Sequence, residues 1–429
     1  MEGKDKIEIK FYGAAREVGR SCIMVNSEFL FDSGIKISEE GTEYPLIGKD
    51  ELKKIKAVFL SHAHLDHSGA LPLFNKLGFK GEIFATSMTK DITRILLKDS
   101  FHIEMLNKEE PGYTKENIQQ AINQIKKVNY FIEYNLKGTK FRYFDSGHIP
   151  GSASVLIELK GKRILYSGDI NSRETRLLRK LEYEKYVPKI IDTLICESTY
   201  GDRNHEDRKK QEENFIEKIK ETLHNKGTVL IPAFSVGRAQ EIILLLDSHN
   251  IRYPVYLDGM AKKVSNLFLK NTGWIKSHDS LSKALNKVIY IKKPRQREEV
   301  SRKNAIIITT SGMMDGGPVI DYLEYLWKNP KNSILLTGYQ VEGSNGRLLL
   351  DEGKVFIDGI RVKVKAFYKK YDFSAHSGRN ELIRYIETIK PKALILQHGD
   401  ETAIMSLAEY FKGKGIKVYT PKLNESISI

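Results

Sequence analysis

Apolar and polar positions alternate with a period of two through KIEIKFYG (6–13), SCIMVN (21–26) and EFLFDSG (28–34), with Gly or Asn between the runs. That pattern predicts the short strands of an opening sheet. The apolar run IKAVFL (55–60) reads as a buried strand leading straight into a histidine-rich loop, and SGALPLFNKLG (68–78) has helical spacing that stops at Gly78. Residues 88–128 read as mostly helical. Strand patterns return in FRYFDSGH (141–148), SVLIELKGKRILYSGD (154–169) and DTLICEST (192–199).

From about residue 204 the rhythm becomes helix and strand in alternation. The stretch 206–227 places Ile216, Ile219 and Leu223 on one helical face, and TVLIPAF, RAQEIILLLDSH, YPVYLD, VIYIK, NAIIITT, PVIDYLEYLWK and SILLTGY follow in turn. Such alternation predicts a doubly wound, mostly parallel sheet, hence a second domain inside the chain. After Gly346 the strand patterns KVFIDG and RVKVKAFYK, a helix near 378–389 and the strand ALILQHGD are read as a return to the first domain. The expected organisation is therefore α/β, with residues 1–203 and 347–429 forming one domain and 204–346 inserted between them. No repeat or Gly/Ser linker interrupts it.

Composition sharpens this picture in three ways. A chain of 429 residues suits two domains. A formal charge of +14 favours a polyanionic partner such as nucleic acid. Cys22 and Cys196 are the only cysteines and lie in no CxxC pattern, so neither a disulfide framework nor a thiolate metal site is indicated, and a reducing compartment is expected. No apolar run approaches the roughly 18 residues of a membrane span. A soluble, cytoplasmic protein is the expectation.

The chemistry concentrates in FLSHAHLDHSGA (59–70), where His62, His64, Asp66 and His67 form HxHxDH. Alternate residues at a strand end face one way, so His62 and His64 can reach one ion while Asp66 and His67, at the following turn, reach another. Imidazole and carboxylate donors without thiolate suit zinc, with manganese or iron as alternatives. Further polar clusters end apolar runs: Asp145-Ser146-Gly147-His148, Ser167-Gly168-Asp169 and Gln397-His398-Gly399-Asp400. Singly these are turn residues; their repetition at strand ends marks candidate ligands.

HAHLDH, with FDSG before it and GH, SGD and QHGD after it, resembles the metallo-β-lactamase fold, an αββα sandwich with two metals at one edge. ICESTYGD, FSAHSG and QHGD look like motifs A, B and C of the β-CASP nucleases, and PAFSVGRAQE, TTSGMMDGGP and TGYQVEGSNGR resemble their inserted domain. The wording is closest to the nuclease subunit of the cleavage and polyadenylation specificity factor and its archaeal homologues. The resemblance implies that His62, His64 and His148 hold a first zinc, that Asp66, His67 and His398 hold a second, and that Asp169 bridges them. Asp66 counts among the catalytic residues too. Asp32, which the residues alone read as a turn, would orient the histidine loop without ligating. Neither the N-terminal KH domains of some archaeal members nor the large C-terminal domain of ribonuclease J is expected.

The activity so implied is zinc-dependent hydrolysis of RNA phosphodiester bonds in 3′-end processing, maturation or decay, by an endonuclease with 5′–3′ exonuclease action as a second mode. His376 of motif B would protonate the leaving oxygen, paired with Glu197 of motif A. His398 in motif C favours RNA over DNA, and single-stranded RNA is the expected partner. Ser235, Gly237, Arg238 and Gly312, at turns before helix starts, together with Arg347 and Ser374, are candidate phosphate contacts. The runs 292–303 and 123–144 mix basic and aromatic residues, as single-strand grooves do, without placing substrate there. Competing readings are a hydrolase of a small thioester or lactam and a non-catalytic RNA-binding scaffold. A homodimer is an expectation by analogy.

Overall fold

The computed structural model describes residues 6–38, 41–106 and 111–429. It divides into two compact units: the chain through Glu174 with Lys180–Asn204 and His376–Ile429, and Thr175–Arg179 with His205–Ala375.

The first unit is built on two seven-stranded sheets. One runs in the order Ser426–Ser428, Glu8–Phe11, Ile23–Val25, Phe29–Phe31, Ala57–Phe59, Glu82–Thr86, Ile125–Val128; the other runs Lys417–Tyr419, Ala393–Gln397, Thr193–Glu197, Lys162–Tyr166, Ala153–Leu159, Thr139–Asp145, Glu133–Leu136. Strand alternation explains the layers. Ile195 and Ile395 face a core shared with Phe31, Phe59 and Phe141, whereas Leu194, Cys196, Leu394 and Leu396 face the helices Arg379–Ile389 and Glu401–Phe411. A strand enclosed on both faces reads as a continuous apolar run, which is why LIC and LIL lack alternation. Each aliphatic or aromatic side chain fully enclosed this way contributes about 1.5–3 kcal/mol. On the far side of the first sheet, Leu71, Phe74, Leu97 and Ile118 pack the helices Leu71–Lys76, Ser87–Leu106 and Lys115–Gln124 against Leu30 and Val58. The unit is an αββα sandwich.

Strand direction positions the site. Phe29–Phe31, Ala57–Phe59, Glu82–Thr86 and Ile125–Val128 pair in parallel. In the second sheet Lys162–Tyr166, Thr193–Glu197 and Ala393–Gln397 are parallel, and Thr139–Asp145 runs the same way, two antiparallel steps removed. Within each sheet these carboxyl ends, and the polar clusters that follow them, share one edge.

The second unit holds a six-stranded, all-parallel sheet in the order Val288–Tyr290, Val255–Leu257, Ile306–Thr309, Val229–Pro232, Ser333–Leu336, Phe367–Lys370. The doubly wound alternation is thus present, but the return expected at residue 347 falls later. Residue 347 lies inside the helix Asn345–Glu352, Lys354–Ile357 pairs with Ile360–Lys363 in a hairpin, and Phe367–Lys370 adds the last parallel strand. These strands belong to the second unit because Val355, Ile357, Val364 and Ala366 share its core with Leu336 and Leu349. Residues 88–128 are mostly helical as expected, in Ser87–Leu106 and Lys115–Gln124, and end in a strand, 125–128, paired with Ile83–Thr86. No helix among the described residues is long and apolar enough to cross a membrane.

Candidate metal centre

Every element of this centre lies in the first unit. His62 and His64 follow the strand Ala57–Phe59, and Asp66 and His67 sit on the short helix Leu65–Ser68. That turn closes tightly on Gly34, where a Cβ would stand 1.6 Å from the Asp66 carbonyl oxygen. Asp169 is reached across Gly168, whose φ is +56° and whose Cβ position would lie 2.9 Å from the Ala153 carbonyl and the Ser61 Cβ, so a side chain is excluded there. His398 follows the strand Ala393–Gln397 at φ +50°, a conformation costly for a residue with a Cβ, held by its backbone N–H donating to the Ala14 carbonyl at 2.7 Å.

Two donor sets meet at one carboxylate. His62, His64, His148 and Asp169 form the first, and Asp66, His67, His398 and Asp169 the second. In the first, His64 Nδ1 stands 3.2 Å from His62 Nε2 and 3.1 Å from His148 Nε2, while Asp169 Oδ2 is 3.5 and 3.7 Å from those two Nε2 atoms. In the second, Asp169 Oδ2 lies 3.4 Å from His67 Nε2, and Asp66 Oδ2 lies 3.8 Å from His67 Nε2 and 3.5 Å from His398 Nε2. Four donors about 2.1 Å from one ion at tetrahedral corners stand about 3.4 Å apart. The spacing is that of ligands around an ion. His67 Nε2, His398 Nε2 and Asp169 Oδ1 are moreover buried without a hydrogen-bond partner, which is costly unless a ligand satisfies them. The residues fit a metal.

The surroundings fix the donor atoms. Asp32 Oδ1 accepts the Ser61 backbone N–H at 2.6 Å, and Oδ2 accepts from Ser61 Oγ, Tyr166 OH and His67 Nδ1, each at 2.7 Å. Burial opposes protonation of His67, but the Asp169, Asp66 and Asp32 carboxylates hold its ring well above the ordinary histidine range; with the Nδ1 proton on Asp32, Nε2 is the nitrogen offered to an ion that displaces the second proton. Burial pushes the His62 and His64 imidazoles below the ordinary histidine range, so both favour the neutral, ligating form. Burial opposes ionisation of Asp169, but the rings of His398, His67 and His376 outweigh it and hold the carboxyl well below its usual range.

Beside these sets, His376 Nδ1 is 3.1 and 3.2 Å from the two Glu197 oxygens, and its ring centre is 4.5 Å from that of His148. Glu197 is fully buried, and its Oε1 accepts the Ile170 N–H at 2.7 Å. Burial alone lowers the His376 pKa, yet the Glu197 and Asp169 carboxylates raise it to about 9, so this imidazole keeps its proton at neutral pH.

Sequence reasoning missed Ser61, Tyr166 and Ser21, whose hydroxyl is 3.1 Å from that of Tyr166. The available signal was a hydroxyl at the end of the apolar run RILY, since a buried tyrosine OH needs a partner. In the second unit, Ser235 and Gly312 lie on loops after the neighbouring strands Val229–Pro232 and Ile306–Thr309, Arg238 opens the helix Arg238–Ser248 that follows the first of them, and a Cβ on Gly312 would meet the Phe234 nitrogen at 2.9 Å. Ser235 and Arg238 are buried. Arg347 sits in the first turn of the helix Asn345–Glu352, bonded to Asp351 at 2.7 Å, and that turn meets the Gly312 loop through the Gly346 N–H, which donates to the Met313 carbonyl at 2.8 Å; the Ser374 N–H donates to Asp372.

Family models match along the chain: a metallo-beta-lactamase superfamily domain over residues 24–199, a Beta-Casp domain over 239–349 and a Zn-dependent metallo-hydrolase RNA specificity domain over 361–421. Sandwich and donor sets thus define a metallo-hydrolase of the metallo-β-lactamase class. A probable RNase, MJ4, of Methanocaldococcus jannaschii is 43% identical over 99% of this chain and 100% of that protein. Cleavage and polyadenylation specificity factor 73 of Drosophila melanogaster is 30% identical over 100% of this chain and 66% of its own length. A solved structure of a protein of unknown function from Enterococcus faecalis V583 shares the fold, with a TM-score of 0.62 at 15% identity over 99% of this chain and 100% of the other. The chain belongs to the β-CASP ribonuclease family.

Proposed function

We propose that this protein hydrolyses phosphodiester bonds of single-stranded RNA with two zinc ions, as an endonuclease with 5′–3′ trimming as a second mode, in 3′-end processing, maturation or decay. The observation that carries the reading is the pair of donor sets sharing Asp169, each with its donor atoms within 4.8 Å of one another. His62, His64 and His148 would hold one ion, Asp66, His67 and His398 the other, and Asp169 both. Zinc bound there supplies Lewis acidity toward a phosphoryl oxygen and makes a water nucleophilic near neutral pH.

The chain's own groups do the rest. Asp32, through Ser61, Tyr166 and His67, locks the loop so that Nε2 and not Nδ1 of His67 would be the nitrogen offered to an ion. His376, charged beside Glu197, delivers a proton to the departing 3′-oxygen, a step worth roughly 10²–10⁴-fold when the acid is positioned. Glu197, anchored by the Ile170 N–H, keeps that ring in register. In the second unit, Ser235, Gly312 and Ser374 on loops, and Arg238 and Arg347 in the first turns of helices, are the proposed phosphate contacts. The same reading places the protein in the cytoplasm as a homodimer.

The test is cleavage of a 5′-labelled single-stranded RNA by the wild type and by His398→Ala, with zinc measured on both. The expected result is about two zinc per wild-type chain, and loss of one zinc together with activity in the variant. A wild type that carries zinc, leaves RNA intact and hydrolyses a thioester or lactam overturns the proposal.

A further inference from the structure

The basic and aromatic run at 123–144 acquires a definite shape in the fold. Because Ala57–Phe59, Glu82–Thr86 and Ile125–Val128 are parallel, residues 129–132 leave their sheet at the same edge as the histidine loop. The Tyr130 hydroxyl donates to the Ser152 carbonyl at 2.6 Å, at the end of the loop that carries His148. Phe131 adopts φ +67°, a left-handed backbone that aromatic residues rarely take, while its N–H donates to the Tyr143 carbonyl at 2.8 Å. That conformation turns the ring outward: Phe131 is 43% exposed and Tyr186 45%, with ring centres 4.2 Å apart. Phe144 backs the pair at 6.1 Å from Phe131, and exposed Ile132 adjoins it in the chain.

A folded protein gains nothing for its own core by holding two aromatic rings in water. The charge around them selects the occupant. The segments that carry the rings, residues 125–145 and 180–190, hold eight Lys or Arg against four Asp or Glu; Lys126, Lys140, Arg142 and Lys185 are paired with Glu82, Glu133 and Glu182, while Lys127 and Lys189 are exposed outside those pairs. Aromatic faces among cations suit a single strand, whose bases stack while its phosphates meet the charge.

We infer that Phe131 and Tyr186 form a stacking platform for one or two bases of a single-stranded RNA at the rim of the metal centre. This rests on the ribonuclease reading. Stacking is indifferent to base identity, so the platform provides affinity without sequence preference.

The test uses the zinc-loaded full chain and two 5′-labelled 12-nucleotide RNAs, oligoadenylate and the same backbone with abasic positions. Wild type is expected to show a KM for oligoadenylate about tenfold below that for the abasic strand, and Phe131→Ala with Tyr186→Ala to erase the difference. Phe131→Trp should retain the preference, and Phe131→Leu, apolar but without a π-face, should not. Undiminished preference in the double variant, or leucine serving as well as tryptophan, overturns the platform. So does an unchanged KM in a double variant that converts a wild-type dimer to monomer, since the rings are then an interface between copies. A wild type that loads zinc but neither binds nor cuts RNA removes the ribonuclease reading and the platform together; one that cuts, with the variant unaffected, removes the platform alone.

Discussion

Two buried aspartates stand beyond the carboxyl ends of parallel strands, one in each unit, with opposite surroundings. Asp258, after Val255–Leu257, has both oxygens occupied: Oδ1 accepts from the Gly259 N–H at 2.6 Å and Lys262 Nζ at 3.0 Å, and Oδ2 from Arg297 Nε at 2.8 Å and Tyr322 OH at 3.2 Å. Asp169, after Lys162–Tyr166, is ringed by four imidazoles at 3.3 to 3.7 Å, and its Oδ1 makes no hydrogen bond. The first carboxylate is completed by its own chain. The second leaves an oxygen that its own chain does not satisfy. Burial and position at a strand end do not by themselves separate structure from function; the satisfaction of each oxygen does.

The comparison is broken or sharpened by substitution, beginning with the largest effect. Asp169→Asn should lower RNA cleavage by more than about 10³-fold, because both donor sets act as a unit through it. The variant's zinc, measured by mass spectrometry, should fall with it, and full retention of both would make Asp169 a second Asp258. The Asp258→Asn variant should keep its zinc while losing about 3 kcal/mol of stability in a denaturant titration, since Arg297 and Lys262 are left facing a neutral amide. Loss of zinc there would mean that the two aspartates are not independent.

Between these extremes stands Tyr166, which touches no candidate ion but bonds Asp32. Tyr166→Phe should weaken zinc binding about tenfold in chelator competition, as removing a group that orients a metal ligand does. An unchanged affinity would reduce the hydroxyl to packing. The smallest effect concerns pH. Burial opposes ionisation of Asp258, but Arg297 and Lys262 outweigh it and hold its pKa below the usual value. Its stabilising contribution is therefore present above about pH 4 and is lost as pH falls through the depressed folded value. Unfolding midpoints taken from pH 5 down to 2 should fall more steeply for the wild type than for Asp258→Asn, and parallel curves would remove Asp258 from the acid response.

Several elements were legible from one residue's neighbours. Alternation in EFLFDSG, the apolar run before His62, and the helix–strand rhythm from 204 onward specify local backbone, and each corresponds to an element of the structure. The end of the second unit was not. KVFIDG and RVKVKAFYK show strand pattern, but only the pairings say that Lys354–Ile357 and Ile360–Lys363 form a hairpin of their own and that Phe367–Lys370 joins Ser333–Leu336. A periodicity states that a strand has a buried face and is silent about its partner.

The same division runs through the candidate site. The sequence by itself determined the donor inventory, histidines and aspartates at strand ends with no thiolate pattern, because side-chain chemistry and strand propensity are properties of short stretches. Glu197 and His376, 179 residues apart, were paired by resemblance alone, while the structure sets them 3.1 Å apart. Only the tertiary structure decided that Ser61 and Tyr166 share Asp32 with His67, that Asp169 stays open where Asp258 is closed, and that Phe131 meets Tyr186 in water. Each of these depends on sheet order and strand direction, which arise from contacts between residues distant in the chain and leave no periodic trace in it.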